Sequence, residues 1–178
     1  MAGPTPIYSL ASDPRAEAAA WARFSSSRDA GEFCSSWLAI LCAQVERTSG
    51  ALLLVGPEAD GAYHAAAVWP DPSRDMEYLT PAAKKALNDR RGIVVARDGV
   101  STPTREQSAL VGYPIEVSGV LRGAVALEIA PGPDHALQRA LRMVYWASAW
   151  LVDQFRQQDL KEFEVRLARL VLATDLVA

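Results

Sequence analysis

The apolar residues of this 178-residue chain follow a helical period, then a strand period, then a helical one again. Phe33, Trp37, Ile40, Leu41 and Val45 fall on one face of a helix predicted over about residues 30–47. A different pattern begins at residue 51. ALLLVG (51–56) is a short apolar run bounded by turn residues, and AYHAAAVWP (62–70) follows after the loop PEADG, so two strands joined as a hairpin are expected. Thr80-Pro81 supplies a capping side chain and a first-turn proline for a helix to about Arg90, with Gly92 as its stop. IVVAR (93–97) predicts a third strand. The polar stretch DGVSTPTREQSA (98–109) is long for a compact domain, a length that often marks a functional lid. Strands four and five come from GYPIEVSGVLRGAVALEI (112–129), turning at Ser118-Gly119.

Two registers fit that turn. A two-residue loop pairs Val117 with Val120 and has the better turn chemistry. A loop centred on Gly119 pairs Val117 with Leu121 and Glu116 with Arg122, sorting the hairpin into an apolar face and a salt-bridged one. Pro114 cannot donate to a ladder, so its end of the strand should be bulged or at an edge. Gly123 should stand where another backbone or helix comes close.

After APGPD (130–134) the pattern is helical to the end. Leu137, Leu141, Val144, Ser148, Leu151 and Phe155 alternate spacings of four and three. The pattern then skips five residues to Leu160 and resumes through Phe163, Leu167, Leu170, Thr174 and Val177. The second set is a heptad seam. The skip predicts a bend, a local shift or two abutting helices over 155–160. The chain thus divides into an N-terminal tail and short Ala-rich helix (1–29), a folded domain (30–157) and a coiled-coil linker helix (158–178). A seam still running at Ala178 is expected of a piece cut from a longer, multidomain polypeptide.

Composition narrows the function classes. Half the residues are hydrophobic, enough for a sizeable core, and the net charge of -3 argues against a nucleic-acid partner. The basic run AKKALNDRRG (83–92) reads as the solvated face of a helix. Cys34 and Cys42 lie eight residues apart on one helix, about 12 Å, too far for a disulfide. They read as buried small hydrophobes in a reducing compartment. No stretch has the length of a membrane span and no signal peptide opens the chain, so a cytoplasmic location without membrane contact is expected. No metal-ligand spacing, phosphate loop or nucleophile motif is present, so no catalytic residue, metal or cofactor is expected.

The order helix, two strands, helix, strand, lid loop, hairpin and long helix, together with YPIEVSGVLRGAVAL, resembles a GAF domain over roughly residues 30–157. Pro114, Ile115, Gly119, Gly123 and AVALEI match the way such domains close. The resemblance implies an α+β fold, with a central antiparallel sheet of five to six strands, helices on both faces and a long C-terminal helix. One face would pack on the first and last helices. The other would carry a pocket roofed by the 80–91 helix and the 98–108 loop, with His64, Trp69, Tyr78, Arg97, Arg105 and Tyr113 as candidate lining. It further implies a non-enzymatic sensory module that binds an unidentified small-molecule effector. A homodimer would form through Leu137, Leu141, Val144, Leu151, Phe155, Leu160, Phe163, Leu167 and Leu170. The alternative is a ligand-free dimerisation module; a cavity of about 300 Å³ under the lid would separate the two. A free-methionine-sulfoxide reductase is a third reading, opposed by the position of both cysteines on the helix before the sheet. The Asn-Lys-Phe-Asp-Glu pattern of cyclic-nucleotide binders and a bilin-attaching cysteine in 98–108 are both missing.

Overall fold

The structure, a computed structural model, describes Arg15, Ala18, Ala19 and residues 30–175; side chains are described as far as Glu164, apart from Gln158 and Glu162. The three described residues of the first predicted helix are helical, and the rest of it lies outside the described residues. Helix α1 spans Ala30–Gln44. Strands β1 (Thr48–Val55) and β2 (His64–Trp69) form the first hairpin. A turn of 3-10 helix, Glu77–Leu79, leads into α2 (Thr80–Asp89). Strand β3 (Ile93–Ala96), the 97–108 loop, β4 (Ala109–Val117), β5 (Val120–Ile129) and α3 (Asp134–Asp175) complete the order. The five strands form one antiparallel sheet in the order β2-β1-β5-β4-β3.

The strands read as continuous apolar runs because both faces are covered. Ala51, Leu53, Val111, Val125 and Leu127 face α1 and α3, where Trp37, Leu41, Val144 and Leu151 meet them. Leu52, Leu54, Leu110, Ala124 and Ala126 face α2, which lays Ala82, Ala83 and Ala86 on the sheet. Alanines let that helix come close. A β-carbon at Gly112 would lie 2.6 Å from the Ala82 carbonyl oxygen. On the other layer the buried Trp37 Nε1–H donates to the Ala147 carbonyl at 2.9 Å and joins α1 to α3.

Local chemistry shifts several predicted boundaries. α2 is entered from the 3-10 turn, so Thr80 is already helical and no side chain caps the start. Its stop is Arg90 rather than Gly92. Arg90 takes the left-handed conformation (φ 51°), and its guanidinium is held by Glu116 and the Gly119 carbonyl. At the β4–β5 turn the two-residue register holds, Val117 opposite Val120. Ser118 and Gly119 both have positive φ, the geometry of a primed turn that suits the twist of the flanking strands. A bulge then places Glu116 opposite Leu121 and Ile115 opposite Gly123, leaving Arg122 as the extra residue. Arg122 is therefore free to reach Asp159 on α3, at 2.7 Å, instead of Glu116. Pro114 lies beyond the last β3 pair, Ile93–Gly112, where no neighbour needs its missing donor.

α3 is one continuous helix of 42 residues, about 60 Å long, with no break at 155–160. The skip in its apolar pattern marks a change of partner. Val144 and Leu151 are buried in the chain's own core, and Leu137, Leu141 and Phe155 pack against it, so the first half of the expected dimer stripe belongs to the sheet. A helical stripe records that a face is apolar, not which surface covers it. Past the sheet, Leu160 and Phe163 are 63% and 59% exposed. The side chains of Leu167, Leu170, Thr174 and Val177 lie outside the described residues.

Candidate functional site

The α2 face of the sheet carries one buried carboxylate. Glu128 sits on β5 opposite Gly50 of β1 and Leu110 of β4. Its side chain is only 9% exposed. Gly50 clears the space that Glu128 and its partners need: a β-carbon there would lie 2.9 Å from the Met76 sulfur and 3.0 Å from the Tyr78 hydroxyl. Tyr78 donates its hydroxyl to Glu128 Oε2 at 2.7 Å, and Ser49 donates to the same oxygen at 3.0 Å. Glu128 Oε1 faces Arg97 Nη1 at 3.7 Å, an ion-pair distance beyond hydrogen-bond length. The Arg97 guanidinium carbon lies 4.8 Å from the centre of the Tyr78 ring, within cation–π range.

The Tyr78 phenol is pushed up to about 12, first by burial, then by the hydrogen bond and negative charge of Glu128. An acid whose folded value exceeds its unfolded one stabilises the fold below the unfolded value, here 10, and loses that contribution as pH rises toward 12. Tyrosinate absorbance should therefore lose its latest-titrating phenol in Tyr78→Phe, while Tyr113, which burial also raises, still titrates above the ordinary value. A titration in which Tyr78→Phe removes an ordinary phenol would contradict the contact.

The loop that carries Arg97 also reaches α3. Its first turn is closed by the Asp98 carboxylate, which accepts from Val100 and Ser101 backbone N–H groups at 2.9 Å each and from the Ser101 hydroxyl. Those bonds, the Ser101 hydroxyl first, hold the Asp98 carboxyl below its ordinary range. Farther along, Arg105 grips Asp134, the first residue of α3, with two nitrogens at 3.1 and 2.5 Å. That hydrogen bonding lowers the Asp134 carboxyl and raises Arg105. A cavity of about 50 Å³ lies between this part of the loop and the helix start, lined by Thr104, Arg105, Ile129, Asp134 and Leu137 among others. It is well below the volume of a small-molecule pocket.

No protein-family model matches the sequence, and no curated relative matches it. Solved structures do. The A. aeolicus nlh2 GAF domain, in an inactive state, superposes with a TM-score of 0.59 at 11% identity, over 82% of this chain and 96% of that one. The GAF domain of an Acinetobacter phosphoenolpyruvate-protein phosphotransferase gives 0.53 at 8% identity, over 82% and 96%. That of the Coxiella burnetii phosphotransferase ptsP gives 0.50 at 10%, with the same coverage. This chain has the GAF fold.

Within the GAF fold the six candidate lining residues do not converge. Tyr78 and Arg97 meet on the α2 face. Trp69 packs against the opposite layer, and so does Tyr113, which sets its ring edge-on to Tyr145 of α3 with centroids 6.1 Å apart. Their strand parity puts them there, opposite and alongside residues of the α1–α3 face. Arg105 stands at the start of α3, and His64 at the exposed start of β2. Ser49 and Glu128 were not among the sequence candidates. The signal for Glu128 was one acidic residue inside the run AVALEI (124–129). His64 also comes near Glu58 and Asp60, with ligand atoms within 4.8 Å of one another. The three are exposed and are gathered by the hairpin loop, at a spacing that matches no ligand motif. Cys34 and Cys42 form no disulfide and are buried on α1, on the far side of the sheet from Glu128, and burial pushes the Cys42 thiol up. That placement leaves the reductase reading without a pocket cysteine. No described helix is long and apolar enough to cross a membrane.

Proposed function

We propose that this chain is a non-enzymatic sensory module in which the state of the Glu128 corner is passed to α3. The observation that carries this reading is a single loop with one end on Glu128 and Tyr78, through Arg97, and the other on the first residue of α3, through Arg105. Glu128 itself lies six residues before Asp134 in the chain. A face built only to fill space has no use for a buried carboxylate, since an apolar residue of similar volume is often neutral or stabilising there.

The second half of α3 supplies the output in this proposal. Leu160 and Phe163 are exposed on a helix that has left its own sheet, and a solvated helix of that kind gains stability by pairing with a second copy. The dimer then rests on the 160–177 seam. Leu160→Asp combined with Phe163→Asp should convert a dimer to monomer in sedimentation at micromolar concentration. A wild type that already sediments as a monomer would remove this part of the proposal.

A ligand-free dimerisation module is the competing reading, favoured by the direct seating of α2 on Gly112 and by a cavity of only about 50 Å³ beside the 97–108 loop, far short of the roughly 300 Å³ of a small-molecule pocket. Hydrogen exchange separates them. Glu128→Gln and Arg105→Ala should each speed exchange in the first turns of α3, residues 134–144. If Glu128→Gln changes only its immediate neighbours, the relay is wrong and the filled-face reading stands.

A further inference from the structure

We propose that the Glu128–Tyr78 corner recognises a small guanidinium-bearing molecule, and that Arg97 occupies it in this closed form as a resident ligand. This rests on reading the chain as an effector-controlled module, and it names the chemistry of the effector.

The corner has the parts of a cation site. One wall is the Tyr78 ring face, which attracts a cation through its quadrupole. The base is Glu128, whose carboxylate is kept in place by Tyr78 and Ser49 donating to one oxygen. The other oxygen is left facing the guanidinium. A planar guanidinium suits this geometry better than an ammonium, because it can stack on the ring and present its edge to the carboxylate together.

Arg97 fills the place loosely. Its side chain is 66% exposed, its carboxylate contact is 3.7 Å, and it comes from a loop rather than from the sheet. A buried carboxylate with such a removable counter-charge can exchange it for one carried by a free molecule. The tether gives Arg97 an effective concentration of about millimolar, so a free guanidinium competes poorly unless it adds contacts of its own. When it wins, Arg97 is released. Arg97 and Arg105 lie on one loop, so the exchange is felt at Asp134.

The test is chemical rescue. Arg97→Ala removes an exposed side chain and should keep the fold, which its backbone amide spectrum verifies. Titrated with methylguanidinium at constant ionic strength, Arg97→Ala should show saturable shifts at Ser49, Tyr78 and Glu128 with a midpoint of about 1 mM. The wild type should need about twofold more, because a tethered competitor at about millimolar holds half of a site whose midpoint is about 1 mM. Glu128→Gln or Tyr78→Leu in the Arg97→Ala background should abolish saturation, and either one suffices if the other unfolds. Linear shifts in Arg97→Ala, shifts that survive both second substitutions, or wild-type binding of inorganic phosphate at the same residues would overturn the proposal. The relay is judged separately. If methylguanidinium fails while Glu128→Gln still alters exchange at 134–144, the ligand class is wrong and the sensory reading stands. If it binds and that exchange is unmoved, the site is real and the relay is wrong.

Discussion

Replacing Gly123 with valine is expected to lower stability by about 3 kcal/mol, at the upper end of what overpacking does. An ideal β-carbon at this position would lie 2.3 Å from the Leu54 carbonyl oxygen and 3.4 Å from the Val55 Cα. The obstacle is backbone, so no rotamer change relieves it. It belongs to β1, which pairs with β5 from Thr48–Ile129 to Val55–Gly123 near the middle of the sheet. The strands must part at that end, and both cores lose contact there. Against a total stability of about 5–15 kcal/mol this is a large fraction. Urea unfolding measures it. Gly119→Ala is the comparison, because that glycine has positive φ but nothing within 4 Å of its ideal β-carbon. A Gly123→Val midpoint equal to that of Gly119→Ala would show that the close approach is absent.

Trp37→Ala should be at least as damaging, about 3–5 kcal/mol. Trp37 is 1% exposed and sits where α1, α3 and the sheet meet. Removing it leaves a large cavity among Leu38, Leu41, Val144 and Leu151, residues already fixed by their neighbours. It also deletes the indole N–H that reaches the Ala147 carbonyl. Trp37→Phe separates the two effects. It keeps most of the apolar volume and loses the hydrogen bond, so its loss should be nearer 1–2 kcal/mol. Thermal or urea melts that rank Phe close to wild type and Ala far below would support packing as the main contribution. Equal losses for both would shift the weight to the hydrogen bond.

The elements themselves were legible. Apolar period separated helix from strand, and Ser118-Gly119 located the hairpin because few residue pairs accept its backbone. The unusual glycine, Gly123, was readable as a place of close approach. Resemblance in element order led to the GAF fold although the solved GAF domains share only about a tenth of their residues with it.

The site was legible only in part. Tyr78 and Arg97 stood among the sequence candidates, but so did Trp69 and Tyr113. An aromatic residue on a strand covered on both sides can face either layer, and only the pairing decides which. Glu128 gave little warning, since one acid in an apolar strand can as easily end it at the surface. Ser49, before the first predicted strand, gave none; the strand begins three residues earlier than its apolar run.

The sequence by itself determined which segments are helices and strands and where the chain turns. These follow from local sterics and from the period at which apolar side chains recur, and both are written in consecutive residues. Tertiary structure alone decided which face each aromatic serves, that Arg122 leaves Glu116 for Asp159, and that the first half of α3 packs on its own sheet. It also brought residues 49, 78, 97 and 128 into one corner. Contacts between residues tens of positions apart depend on strand register, a single bulge and the seating of one helix, and no local pattern encodes those.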